Sequence, residues 1–269
     1  MAQRGLDKKE RDEVDDLRRA RAPVQYEVIR QEGEAELERP VASLWWSGVA
    51  AGLAISASIF CQGFLHSHLP DAGWRPLVTN FGYCIGFLVV IIGGFQLFTE
   101  QTVKAILPLL SEQSRQNFTR TARLWGIVLL ANMAGTFLAA LFATYTGAVK
   151  PEQFSAFLEI SRPLAALGFF EAMMRGVPAG FLIAALAWIM PNAEGSKFWV
   201  IIALTYAIAL GEFAHVVAGA AEIFLLLISG EISVVKAFGG LLLPILIGNV
   251  LGGTALFSLI AYAQVKEEM

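Results

Sequence analysis

The sequence predicts an all-α integral membrane protein: six transmembrane helices in an inverted 3+3 repeat, the second and fifth of them broken. Three observations lead there. Of the 269 residues, 56% are hydrophobic and only 16% charged, and the apolar ones gather in stretches of about twenty, the length that crosses a hydrocarbon core. One stretch is interrupted by Ile91-Ile92-Gly93-Gly94-Phe95-Gln96-Leu97-Phe98-Thr99-Glu100, where paired glycines and polar side chains stand in an otherwise apolar span. Finally, the spans repeat one another at a distance, with glycines and asparagines recurring in matched positions.

Residues 1–40 form a charged tail, expected on the cytoplasmic side. Opposite charges recur there at i,i+4, as in Asp7/Arg11 and Asp15/Arg19, the pattern of a solvated helix that Pro23 and Pro40 interrupt. A disordered arm fits the same composition, and a regulatory plug is the alternative role. The first apolar span begins only near Ala42, after this tail, so no cleavable signal peptide is expected. A pore domain over 41–265 follows, and 266–269 make a short cytoplasmic C-terminal tail.

Within the pore domain, the first span is expected over 42–65 and the second in two halves, 77–95 and 101–110. The third covers 124–145, the fourth 169–190, the fifth 197–229 and the sixth 237–263. The fifth is too long for one straight crossing and contains Gly211-Glu212. An even number of spans puts both termini on one side. Arg115, Arg120, Arg123, Lys104, Lys197 and Lys266 fall on that side, against Arg75, Lys150, Arg162 and Lys236 on the other, which predicts cytoplasmic termini.

The repeat is legible in the residues. Gly48-Val49-Ala50-Ala51-Gly52 in span one matches Gly176-Val177-Pro178-Ala179-Gly180 in span four, and Asn132-Met133-Ala134-Gly135 matches Asn249-Val250-Leu251-Gly252. Spans two and five are the two that break. Three spans per half means that equivalent helices cross in opposite directions, with a site expected where the halves meet. The small-xxx-small pairs Gly48/Gly52, Gly82/Gly86 and Gly176/Gly180 read as close helix packing.

Non-helical backbone at membrane depth survives only where it is buried in protein or lines a cavity, because each unpaired N–H or C=O costs several kcal/mol there. The breaks therefore mark where to look. Thr99, with Leu97 and Phe98, offers a hydroxyl and loop amides to replace a solute's water shell, between two apolar side chains that narrow a path. His215 follows the second break, and a continuous helix would put Gly211, His215, Gly219 and Glu222 on one face. An ionisable group at that depth is a functional candidate, the alternative being a histidine bonded to a neighbouring helix. Gln96, Glu100, Glu222, Gly219 and Asn249 are candidate polar lining of the same path. Glu171 and Arg175 stand at i,i+4 and are expected to pair, whereas Glu100, Glu212 and Glu222 fit no simple anion path. His66 and His68 lie at a span boundary, and Cys61 and Cys84 read as small apolar residues.

No phosphate-binding glycine loop, zinc spacing or Ser/His/Asp arrangement is present, so no cofactor or metal is expected. No second catalytic group can be assigned beside His215, which argues against an enzyme. Nothing in the near-neutral charge points to nucleic acid.

These segments resemble the formate/nitrite transporter family over residues 40–265. Gly93-Gly94 with Leu97-Phe98-Thr99 is similar to its broken second helix, Glu212-Phe213-Ala214-His215 with Ala218 to its pore-histidine segment, and Gly248-Asn249-Val250-Leu251-Gly252-Gly253 to its sixth helix. The resemblance implies aquaporin-like protomers in a homopentamer of the bacterial inner membrane, each passing small monovalent anions such as formate, nitrite or hydrosulfide. By the same resemblance His215 exchanges protons, Thr99 is its partner, and Tyr83 and Phe87 join Leu97 and Phe98 along the pore. The chain also departs from the family pattern. Gln96 and Glu100 flank the Leu-Phe-Thr segment where an acidic and a small residue are usual. Gly180 and Gly219 replace asparagines, and Leu164 stands where a lysine is expected, with Arg162 nearby. The leading expectation is a weak-acid pore. A pore for a neutral or cationic solute, or a non-conducting scaffold or sensor, are the alternatives.

Overall fold

The structure, a computed structural model, describes residues 21–268. The charge pairs Asp7/Arg11 and Asp15/Arg19 lie outside the described residues. Among the described residues, five helices are long and apolar enough to cross a membrane: α2 (Val41–His68), α3 (Arg75–Ile92), α6 (Arg115–Tyr145), α8 (Phe169–Asn192) and α11 (Lys236–Lys266). Two shorter apolar helices, α9 (Lys197–Leu210) and α10 (Val216–Ile228), lie end to end across a break. The short α4 (Phe98–Lys104) and α5 (Ile106–Ser111) continue α3 after the other break.

Both breaks fall where glycines and polar residues interrupt the apolar runs, and their backbones match bond for bond. Gly93 and Gly211 each close a last α-turn, onto Val89 and Ala207, both at 3.0 Å. The next residue is left-handed, Gly94 at φ 65° and Glu212 at φ 50°. Phe95 N–H then reaches back to Val90 O, and Phe213 N–H to Ile208 O, again both at 3.0 Å. Glycine adopts that conformation freely, but Glu212 holds it against its own Cβ. Its carboxylate is tied 2.9 Å from Arg175, which sits 2.9 Å from Glu171 as the i,i+4 spacing predicts.

Two helix pairs frame the breaks: α2 packs along α6, and α8 along α11. Their axes approach closely because glycines stand at the crossings. A Cβ on Gly52 would lie 2.3 Å from Asn132 O, and one on Gly180 would lie 2.2 Å from Asn249 O. The packing role read from Gly48/Gly52, Gly82/Gly86 and Gly176/Gly180 holds, since each of the six faces a neighbouring element at a distance that excludes a methyl group. Cys61 and Cys84 are both free thiols.

Three features differ from expectation. α6 begins at Arg115, nine residues before the expected 124, because the helix runs on into a polar turn capped by Ser114 Oγ, which accepts from Asn117 N–H at 3.1 Å. The connection after it holds an unpredicted helix, α7 (Pro151–Ala166), started by Pro151 and by Gln153 Oε1 accepting from Lys150 N–H at 3.1 Å. Within α11 the winding loosens to π-helix over Lys236–Leu242 and Leu251–Ser258. The second loosened stretch seats Gly253 against Thr102, where a Cβ would come within 2.2 Å of the hydroxyl.

Residues 22–38 are a packed helix, α1 (Ala22–Glu38), opened by Pro23 and ended before Pro40. Tyr26, Ile29, Gly33 and Leu37 form its buried stripe. Gly33 permits contact with the carbonyl of Lys104, and Tyr26 Oη pairs with Ser111 Oγ at 2.9 Å. Gln25 bonds Trp188 O and Asn192 from the same side.

Replacing Gly180 with alanine forces a methyl into the α8–α11 crossing and should cost about 1–3 kcal/mol. Thermal unfolding of the purified protein checks this. Gly126→Ala is the control, since a Cβ there meets nothing within 4 Å, and its midpoint should hold or rise.

Candidate functional site

The two breaks face one another, since Thr99 in the first turn of α4 meets His215, the residue before α10. Each break is held by an asparagine from a flanking helix. Asn132 on α6 accepts from Phe98 N–H at 2.9 Å and donates to Gly48 O and Gln96 O, both at 2.8 Å. Asn249 on α11 does the same at the second break, accepting from Val216 N–H at 2.8 Å and donating to Gly176 O at 2.9 Å and Ala214 O at 2.8 Å. Both side chains are fully buried. Three good bonds per amide satisfy backbone groups that the breaks would otherwise leave orphaned in an apolar setting.

The carbonyls released at the far end of α4 are satisfied too. Trp125 Nε1 donates to Gln101 O at 3.0 Å, Thr254 Oγ1 to Thr102 O at 2.8 Å and Thr121 Oγ1 to Ala105 O at 3.2 Å. The half-helix is thus fixed by α6 and α11 together.

Between the breaks, Thr99 Oγ1 and His215 Nε2 lie 2.7 Å apart, with both residues buried. His215 is the N-cap of α10, and its Nδ1 accepts from Ala218 N–H at 3.1 Å. A backbone N–H can only donate, so Nδ1 carries no hydrogen, and the neutral ring holds its proton on Nε2. That proton points at Thr99 Oγ1, which leaves the threonine hydroxyl free to donate elsewhere. Phe87 stands edge-on to the imidazole, centroids 5.1 Å apart, and Tyr83 tilts against Phe87 at 5.1 Å. Leu97 and Phe98, next to Thr99 in the chain, are both buried, and Phe98 stands edge-on to Trp125 with centroids 5.6 Å apart.

A cavity opens on each side of this centre. One, of about 380 Å³, lies beside α1 and is lined by Glu36, Phe95, Gln96, Glu100, Gln101 and Lys104 among others. The other, of about 360 Å³, lies at the opposite ends of α3 and α9 and contains Tyr83, Leu164, His215, Gly219 and Glu222.

The expected residues therefore divide. His215, Thr99, Leu97, Phe98, Tyr83 and Phe87 come together at the centre. Gln96 and Glu100 line the first cavity, where Gln96 Nε2 donates to Glu36 at 2.9 Å and Lys104 lies 3.6 Å from Glu100 and 3.1 Å from Glu32. Gly219 and Glu222 line the second. Asn249, expected as polar lining, is a backbone clamp: it bonds Val216 N–H and Ala214 O at the break and Gly176 O on α8, and lines neither cavity. Gly211 leaves the face shared by His215, Gly219 and Glu222, because helix α10 begins only after His215. Asn132 was missed as a site residue, although its match to Asn249 in the repeat was the signal. The Glu36–Gln96–Gln101 chain was missed as well, having no signature in spacing.

A sequence model described as formate/nitrite transporter matches residues 24–263. The chain belongs to that family. It is 38% identical over 250 residues to the inner membrane protein YfdC of Escherichia coli (strain K12), covering 93% of this chain and 81% of that protein. A formate-nitrite transporter of Plasmodium falciparum (isolate 3D7) is 25% identical over 236 residues, 82% of this chain and 76% of the other. Among solved structures, an FNT family ion channel superposes with a TM-score of 0.77 at 21% identity, covering 89% of this chain and 98% of that one. A pentameric formate channel with formate bound gives 0.73 at 18%, covering 84% and 98%. At those identities the superpositions speak for the fold, an all-α membrane one.

Asn249→Ala or Asn132→Ala removes three bonds and strands buried backbone groups, so each should destabilise the protein by about 2–4 kcal/mol. Thermal unfolding in detergent reads the loss. A midpoint unchanged in both would mean that the breaks hold themselves.

Proposed function

We propose that this protein is a membrane pore for small monovalent weak-acid anions of the formate/nitrite class, with proton exchange at His215. The observation that carries the reading is the 2.7 Å contact between Thr99 and His215, buried between two breaks, with one cavity lined by His215 itself and another lined by Glu100, the neighbour of Thr99. An anion entering a cavity loses water. The Thr99 hydroxyl, polarised by the Nε2–H behind it, offers a donor in exchange. An anion that takes up a proton here, arriving as hydronium through the cavity water and handed on by the Thr99 hydroxyl that His215 Nε2–H orients, passes Leu97, Phe98, Tyr83 and Phe87 as the neutral acid. No bare charge then crosses the apolar flanks, where desolvation is prohibitive. The chemistry asked of these residues is donation and sharing of hydrogen bonds, which suits transport and needs no catalytic partner.

The architecture in this reading is six spans in an inverted 3+3 repeat. The first half is α2, the broken α3–α4–α5 and α6; the second is α8, the broken α9–α10 and α11. The matched break geometry and the paired clamps Asn132 and Asn249 support it. The pentameric formate channel among the structural neighbours, together with exposed Trp46, Phe170 and Trp199, supports a homopentamer in a lipid bilayer. The relative YfdC supports an inner-membrane location, and Arg115, Arg120 and Arg123 at the start of α6 support cytoplasmic termini. In this scheme 1–40 and 266–269 are the cytoplasmic tails of a 41–265 pore domain.

A second reading, a pore for a neutral or cationic solute, is favoured by one observation: Glu222 lines the second cavity and has no ion-pair partner among the described residues.

Formate uptake into proteoliposomes, at pH about 5 and about 7.5, tests the first reading. Saturable uptake, faster at the lower pH and reduced at least about tenfold in His215→Ala, is expected. No uptake at either pH from intact oligomers would contradict it.

A further inference from the structure

The second cavity brings together three residues that the sequence set apart singly: Leu164, Gly219 and Glu222. Glu222 stands two turns beyond His215 on α10, about 10 Å along the axis. Gly219, on the same face between them, keeps the space open, since a Cβ there would meet only Leu164 Cδ2, at 3.3 Å. A solute moving between this mouth and His215 therefore passes the carboxyl of Glu222 across a gap that no other side chain fills.

What faces that carboxyl decides its effect. From α3 comes Tyr83 and from the break His215, and neither is a cation at rest. From α8 comes Arg175, already held 2.9 Å from both Glu171 and Glu212. From α7 comes Glu159, 3.2 Å from His66 of α2 and 3.9 Å from Arg75. Lys236 at the start of α11 spends its ammonium on Leu167 O, at 2.6 Å. Leu164 is apolar. Among the described residues, every cation at this mouth is engaged by another acceptor, and Glu222 is half-buried with neither ion pair nor hydrogen bond. A monovalent anion meeting an unneutralised carboxylate in a partly desolvated cavity is repelled, whereas a protonated acid is not.

Building on the weak-acid function above, we propose that Glu222 is the specificity-determining residue of this mouth, turning away the bare anion and admitting the protonated neutral acid. Deprotonation at Glu222 rises with pH, so the barrier it sets rises with pH as well.

The test is equilibrium exchange of radiolabelled formate in proteoliposomes of the full chain, at equal pH inside and out, from about 5.5 to about 9. Wild type, Glu222→Gln and Glu222→Asp are compared, with thermal midpoints confirming intact protein. The ratio of E222Q to wild-type exchange should climb with pH, reaching roughly tenfold at the alkaline end, the scale of one like charge in a partly screened site. E222D should restore the wild-type slope. A ratio flat in pH, with formate exchanged by both proteins, overturns the role of Glu222 alone. Loss of exchange in folded E222Q at every pH also overturns it, making the residue an obligatory proton carrier instead. Methylammonium is followed in parallel. Wild type that exchanges methylammonium and no formate overturns the weak-acid function itself.

Discussion

Backbone that leaves a helix inside an apolar environment must find partners for its N–H and C=O groups, and this requirement organises the molecule. Asn132 and Asn249 meet it in the same way. Each spends its carbonyl on the first N–H of a new half-helix and its amide on two carbonyls, one from the break and one from the neighbouring helix. The glycines at the helix crossings follow from this. An asparagine side chain reaches the carbonyls of Gly48 and Gly176 only if α2 and α8 lie almost backbone-to-backbone against α6 and α11, and side chains at Gly52 or Gly180 would hold them apart.

Once the breaks are fixed, the centre has little freedom. The half-helices α4 and α10 start opposite each other, bringing Thr99 in the first turn of one within hydrogen-bond reach of the cap residue of the other. Capping also orients the imidazole. By accepting from Ala218 N–H, Nδ1 of His215 dictates the tautomer and aims Nε2 at Thr99. A structural duty, terminating a helix, thereby sets the direction in which a proton can be shared. The two cavities differ in character. Glu32 and Glu100 share the ammonium of Lys104 beside α1, whereas among the described residues Glu222 on the opposite side has no ion-pair partner.

Much of this was legible in the residues. Apolar runs located the long helices within a few positions, the start of α6 excepted, and Gly93-Gly94 and Gly211-Glu212 located both breaks. Thr99 and His215, expected as partners, lie 2.7 Å apart. Distances across the fold were not legible. Gly211, His215, Gly219 and Glu222 fit one helical face only if the helix is continuous, and the left-handed Glu212 is where that assumption fails. Asn249 looked like pore lining because a buried amide is polar, and its backbone partners come from residues 33 to 73 positions away. α7 was missed because its faces are neither long nor apolar enough to stand out from a loop. The seating of α1 depends on Gly33 meeting a carbonyl of α4, a contact between distant segments that composition does not encode.

The central claim is that Thr99 and His215 act on the solute as one unit, and a double-mutant cycle on formate flux tests it most directly. Thr99→Val, His215→Ala and the double variant are compared with wild type in proteoliposomes at a single pH. If the threonine hydroxyl works only through the histidine behind it, the double variant is no slower than the worse single one, and the losses are strongly non-additive. Losses that multiply, each substitution slowing flux by the same factor whether or not the other is present, would contradict the account and leave the 2.7 Å contact a packing feature.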